Sequence, residues 1–188
     1  FKGIDPAFGT MEDLQSLVST AHQNGMKVIL DWIGNHTAWD NAWVSAHPDW
    51  YTGPQTGDEQ QWADVTFLNY NKPAVCDAMQ EAMLYWVNEA DVDGYRCDYA
   101  HGVPIDFWTK VNAEIFKRKK DAIMLAETSD VRLCNAGFNL LYSWSYMYAI
   151  EGLYKGTGTF ASLLSASKSE YESTPKGCER MRYVTTHD

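Results

Sequence analysis

Short apolar runs of strand length alternate along this chain with longer segments of helical period, which predicts an α/β fold built on a parallel sheet. A second observation sharpens that reading. Of the five strand candidates, four end on or beside a carboxylate: Asp31, Asp98, Glu127 and Asp188. In a parallel αβ barrel every strand's C-terminal end opens onto one face, so these acids would share one pocket. The third observation is size: 188 residues, 45% hydrophobic and 21% charged, suit one globular domain.

The elements follow in order. Residues 11–24 place Leu14, Leu17, Val18 and Ala21 on one helical face, begin after Thr10 as N-cap and stop at Gly25. Residues 26–32 (MKVILDW) read as the first strand. The next long connection, from His36 to Lys72, is rich in Gly, Pro, Asp and Trp and lacks sustained periodicity. Loops of that length in a compact domain are usually functional, so 37–72 reads as a short insertion subdomain within a single domain, 1–188. Pro73 suits a first-turn position for a helix over 73–90, with Val75, Met79, Ala82, Met83, Trp86 and Val87 on its apolar face. Strands at 92–98 and 122–127 flank a helix running from Pro104 through Trp108, Val111, Ile115 and Phe116. A strand at 138–144, helices near 146–154 and 160–171, and a last strand at 182–188 complete the series.

Charge excludes some functions. There are 25 acidic against 15 basic side chains, a formal net charge of -10, whereas binding a phosphate backbone requires clustered Lys and Arg. No nucleic acid partner is expected, and the run from Lys117 to Lys120 reads as a solvated helix end. No apolar stretch approaches the roughly 20 residues of a membrane span, and the first residues lack the basic-then-apolar pattern of a signal peptide. Cys76, Cys97, Cys134 and Cys178 show no C-x-x-C pair, which argues against structural zinc, and their spacing singles out no disulfide pairing. Aromatic content is high at 14%, with eight Trp and eleven Tyr. His22 and His47 have no supporting neighbours and read as surface residues.

The strand-end acids do not stand alone. His36 lies just past the first strand, Arg96 two residues before Asp98, His101 three after it, and His187 beside Asp188; the period of two puts Arg96 and Asp98 on one face. Carboxylates sharing a low-dielectric site repel one another and raise each other's pKa, so stability alone would not select such a cluster. Two carboxyls flanking a sugar ring can serve as nucleophile and general acid/base in retaining glycoside hydrolysis, a third can stabilise oxocarbenium-like charge, and imidazoles can donate to hydroxyls.

The blocks resemble, in order, those of the α-amylase family of glycoside hydrolases. Asp31, Asn35 and His36 match a D-x-x-x-N-H motif at the third barrel strand, and Gly94, Arg96 and Asp98 match G-x-R-x-D at the fourth. Glu127 matches the acid of the fifth strand and His187-Asp188 the H-D pair of the seventh; Ile4 to Thr10 and Leu68-Asn69 also resemble family blocks. The resemblance implies a partial (β/α)8 TIM barrel, about the third to seventh strand units, as a segment of a longer enzyme whose remaining strands close the barrel. It implies Asp98 as nucleophile, Glu127 as acid/base and Asp188 as transition-state stabiliser. Arg96, His36, His187 and His101 become substrate-binding residues, Asp31 is structural beside Arg96, and the tryptophans of the insertion are candidate sugar platforms. Asn35 matches a residue that ligates a structural calcium in many members, although the insertion offers no evident carboxylate cage. No other cofactor is implied.

Two departures stand out: His101-Gly102 where the family often has Lys-His, and Thr186 where it commonly has Asn. The implied substrate is an α-1,4-linked glucan or maltooligosaccharide, and a polymer substrate points to an extracellular, cell-surface or periplasmic location. Alternatives on the same residues are a transglycosylase or isomerase, a metal-dependent barrel hydrolase using His36, His101 and His187, and a non-catalytic sugar-binding barrel.

Overall fold

A computed structural model gives the fold, describing residues 1–53 and 62–187. Five strands form one wholly parallel sheet in the order β1 (Leu30–Ile33), β4 (Gly94–Asp98), β5 (Ile123–Ala126), β6 (Leu140–Tyr142) and β7 (Glu179–Met181). Helices α1 (Met11–Gln23), α3 (Pro73–Glu89), α4 (Ile105–Arg118), α6 (Trp144–Tyr154) and α7 (Phe160–Ser173) alternate with them, the succession of a (β/α)8 barrel arc. Between β1 and α3 lie a two-stranded antiparallel ribbon, β2 (His36–Ala38) with β3 (Val65–Phe67), and the short helix α2 (Ala42–Ala46). One further short helix, α5 (Arg132–Asn135), follows β5.

Local sequence explains the boundaries. Thr10 and Asp13 form a reciprocal capping box at the start of α1, satisfying two of the N–H groups that a helix terminus leaves without partners. Pro73 occupies the first turn of α3, where a missing N–H costs nothing. Gly94 opens β4 at φ +142°, and a Cβ there would stand 1.9 Å from the Ile123 carbonyl oxygen, so only glycine lets β4 lie this close to β5.

The core is packed between sheet and helices. Val75, Met79, Ala82 and Met83 of α3 and Trp108, Val111 and Ile115 of α4 are sealed against Tyr95, Cys97 and Met124 of the sheet. Each large apolar side chain among them contributes about 2 kcal/mol relative to exposure. The Trp108 indole N–H donates to the Ala100 carbonyl at 2.8 Å, and the Tyr95 hydroxyl donates to the Met83 carbonyl, so the buried polar tips of both rings have partners.

Several expectations are corrected. The last strand occupies Glu179–Met181 rather than 182–188. Its register is fixed upstream, where Glu179 N–H donates to the Asn139 carbonyl at 2.9 Å, one residue beyond Cys178, whose sulfur is bonded to Cys134. Val184, read as a strand residue, is exposed. The strand expected at 138–144 stops at Tyr142, and Trp144 begins α6. Cys134 and Cys178 form a disulfide that the spacing did not single out, while Cys76 and Cys97 are free. His22 is no isolated surface residue, because its Nε2 lies 2.8 Å from Asp93 Oδ2, and Asp93 is buried.

Candidate active site

Parallel register brings the strand-end side chains together. Asp31 and Arg96 are paired across β1 and β4, as are Ile33 and Asp98. Cys97 pairs with Ala126, and the next residue, Glu127, donates its N–H to the Cys97 carbonyl at 3.0 Å. Arg96 is at the centre. Its Nη1 donates to Asp31 Oδ1 and to Asp98 Oδ1, both at 2.8 Å, and its Nη2 is ion-paired with Glu127 Oε2 at 3.0 Å. Its Nε donates to the Tyr142 hydroxyl at 3.2 Å while the guanidinium lies 5.6 Å from the Tyr142 ring centroid.

Three carboxyls thus surround one cation. The Arg96 side chain is 10% exposed, and burial works against its charge. The hydrogen bonds to Asp31 and Tyr142, with attraction from Glu127, nonetheless hold its pKa above the ordinary value. One positive charge cannot balance three negative ones, and the deficit falls on Glu127. Burial, reinforced by the repulsion and hydrogen bond of Asp98, outweighs the Tyr99 N–H and Arg96 and raises the Glu127 pKa. Tyr99 N–H reaches Glu127 Oε2 at 2.9 Å, and Arg96 approaches the same oxygen. A proton on Glu127 is therefore best carried by Oε1, because Oε2 already accepts from Tyr99 N–H and lies 3.0 Å from the charge of Arg96.

Asp98 and Glu127 line a cleft of about 490 Å³ together with His36, His101, Trp62 and Trp144. Burial lowers the His36 pKa, opposed by Asp98 and Asp64, which favours a neutral imidazole able to donate from one nitrogen and accept at the other. Trp62 packs at 4.9 Å, edge-on, against Tyr99 and 5.7 Å from His36; Trp144 contacts Tyr142 at 5.4 Å and Tyr183 at 5.7 Å.

Not every residue singled out from sequence joins this cleft. Asp31 reaches it only through Arg96, its own side chain being 61% exposed. His187 is exposed and is absent from the lining, and Asp188 lies outside the described residues. Of the insertion's tryptophans, Trp62 faces the cleft. Trp43 and Trp50 pack on each other at 5.1 Å and against the core, and Trp39 donates to the Ala63 carbonyl. Tyr99, Tyr142 and Trp144 went unnoticed in the sequence. The signal for Tyr142 and Trp144 was their position at the end of the β6 run, where the other strands carry acids.

Asn35 is 2% exposed, and neither its amide oxygen nor its nitrogen has a hydrogen-bond partner. One side-chain oxygen falls short of the six to eight that calcium takes. Among the described residues there is no group of three or more His, Cys, Asp or Glu side chains arranged to hold a metal ion.

A family model described as the α-amylase catalytic domain matches residues 1–66. The crystal structure of a noncanonic maltogenic α-amylase, AmyB of Thermotoga neapolitana, superposes with a TM-score of 0.89 at 30% identity, covering 100% of this chain and 44% of that one. The chain belongs to the α-amylase family. The intracellular maltogenic amylase of Bacillus subtilis is 32% identical over 146 residues, 66% of this chain and 24% of that protein. The α-1,4-glucan:maltose-1-phosphate maltosyltransferase of Bifidobacterium longum is 30% identical over 133 residues, 66% of this chain and 18% of its own length. The chain thus spans about a quarter or less of the length of these two relatives.

Proposed function

We propose that the protein is a retaining glycoside hydrolase that cleaves α-1,4-glucosidic bonds of starch-like glucans or maltooligosaccharides. The observation that carries this reading is the division of labour between two carboxyls in one cleft: Asp98 bonded to Arg96, and Glu127 with a raised pKa. Asp98 attacks the anomeric carbon as a carboxylate and forms a glycosyl ester. Glu127 gives its proton to the glycosidic oxygen, so the departing sugar leaves as an alcohol. Glu127, now ionised, then takes a proton from water as the water oxygen attacks the same carbon and releases Asp98. Two displacements preserve the anomeric configuration. Arg96 aims Asp98 through its hydrogen bond, His36 is suited to bond a sugar hydroxyl, and His101 lies within reach of the substrate in the cleft. Asp188 and His187 are assigned by motif, as the stabiliser of the oxocarbenium-like charge and a substrate-binding neighbour.

A second reading is transfer to another sugar in place of water, since the glycosyl ester accepts either; the likeness to a maltosyltransferase favours keeping it. We also infer an oxidising compartment, supported by the Cys134–Cys178 disulfide, because such bonds seldom persist in a reducing cytosol. Product analysis on starch, pullulan and sucrose, with the anomer followed as it forms, tests the reading. α-Configured maltooligosaccharides from starch are expected. β-Configured products, or no turnover of any glucan, would overturn it.

A further inference from the structure

We propose that Glu170, a carboxylate on α7 outside the cleft, is a positioning residue: it caps α6 from the neighbouring helix and so fixes Trp144 where its ring stacks on the bound glucan. This rests on the reading of the cleft as a glucan site. Glu170 is 5% exposed and is the one buried side chain of α7. Burying a carboxylate is costly unless its oxygens are bonded, and both oxygens of Glu170 are engaged by the start of α6.

The first N–H groups of α6 have no partners within the helix. Ser143, at the N-cap, carries the hydroxyl that usually accepts one of them, yet it makes no such bond. Its hydroxyl donates to Glu170 Oε2 instead, and the Tyr146 N–H donates to Glu170 Oε1 at 3.3 Å. The negative charge also suits the positive end of the helix dipole. A local serine cap would satisfy the helix end equally; only a cap supplied by α7 also fixes where α6 begins relative to its neighbour.

Trp144 lies between the two contacts, directly after Ser143 and two residues before Tyr146. It lines the cleft with Asp98 and Glu127, and its flat apolar face suits the C–H face of a pyranose. Tyr142, on the other side of Ser143, is held independently: it pairs with Met181 on β7, and Arg180 Nη1 donates to its carbonyl at 3.1 Å. Loss of Glu170 should therefore displace Trp144 and spare the contact of Tyr142 with Arg96, so that substrate binding weakens while the chemical step is kept.

The test is a mutant cycle read in KM and kcat. Glu170→Ala should raise KM for maltotriose about fivefold or more with kcat within about twofold, the mark of lost binding common to ground and transition states. In a Trp144→Ala background the same change should add less than about twofold, because no ring is left to position. Glu170→Gln should keep KM within about twofold of wild type, since its amide oxygen can accept from Tyr146 N–H while its NH2 donates to the Ser143 hydroxyl oxygen. With 5-fluorotryptophan incorporated, the Trp144 fluorine resonance, identified by its loss in Trp144→Phe, should move or broaden in Glu170→Ala and stay in place in Glu170→Gln. If Glu170→Ala does not fold, Ser143→Ala, which removes one of the two contacts, carries the same comparison, with a rise in KM of about threefold expected. A folded variant with unchanged KM, or a rise that persists in the Trp144→Ala background, would overturn the proposal while leaving the hydrolase reading intact. A wild-type protein that turns over no glucan would overturn the hydrolase reading and this proposal with it.

Discussion

The hydroxyl of Tyr142 on β6 accepts the Nε–H of Arg96 at 3.2 Å while its ring lies under the guanidinium. With Nε so engaged, Nη1 is left to bridge Asp31 and Asp98 and Nη2 to meet Glu127. The fork geometry of arginine makes this possible, and the single ammonium of lysine does not reproduce it. Arg96→Lys should therefore reduce kcat/KM on maltooligosaccharides by at least a hundredfold. Arg96→Met should in addition destabilise the protein by about 3 kcal/mol, since it strands carboxylates in a half-buried site. Steady-state kinetics and denaturant unfolding check both; near wild-type activity in Arg96→Lys would remove Arg96 from the mechanism.

The raised pKa of Glu127 sets the alkaline side of the pH profile. In the proposed mechanism the protonated form is the working acid, so activity should fall as pH rises through the Glu127 pKa, which lies above its ordinary value. The same shift acts on stability: the folded state holds this proton more tightly than the unfolded chain, so stability declines as pH rises from the ordinary glutamate value through the raised one. Glu127→Gln should flatten that decline in urea unfolding measured across the window. An unaltered slope would show that another group titrates.

At the opposite end of the strands, Asp93 behaves in the reverse sense. Burial raises its pKa, but the Val28 N–H at 2.8 Å, His22 at 2.8 Å and the charge of Lys119 outweigh it, and the net value is lowered. Its contribution is present above the ordinary aspartate range and is lost as pH falls through the depressed value. Asp93→Asn should cost about 2 kcal/mol at neutral pH and make the acid limb of the stability curve shallower. A variant as stable as wild type at pH 7 would contradict this.

The Cys134–Cys178 bond joins positions 44 residues apart, tying α5 to the residue before β7. Closing a loop of that length in the unfolded chain corresponds to about 4 kcal/mol in the chain-entropy account. Replacing both cysteines with serine should lower the unfolding midpoint accordingly, and a thiol reductant should destabilise wild type but not the variant. Equal sensitivity of the two proteins to reductant would exclude the bond.

Legibility in the sequence followed burial. The runs around Tyr95 and Met124 were plain because β4 and β5 are central parallel strands buried on both faces, and β1, though at an edge, was plain from its apolar run; the polar ends of all three marked the acids. The β7 strand, Glu-Arg-Met, lies at the sheet edge, carries no such run, and was displaced onto the more β-like residues that follow it. The β2–β3 ribbon was missed because each strand is three residues long and its pairing spans the insertion. Asp98, Arg96 and Glu127 were legible from spacing; Tyr99 and Tyr142 were not, because their roles come from a left-handed turn and a cross-strand contact that no local pattern encodes.

The central claim is that Asp98 forms the covalent bond and Glu127 moves the proton. The most direct measurement compares Asp98→Asn and Glu127→Gln on maltotriose and on α-maltosyl fluoride, whose leaving group needs little protonation. Both variants should lose at least a thousandfold on maltotriose. On the fluoride, Glu127→Gln should still form the glycosyl ester at a rate within about tenfold of wild type, seen as a mass increase on Asp98, whereas Asp98→Asn should form none. Ester formation in Asp98→Asn, or equal loss on both substrates in Glu127→Gln, would contradict the assignment.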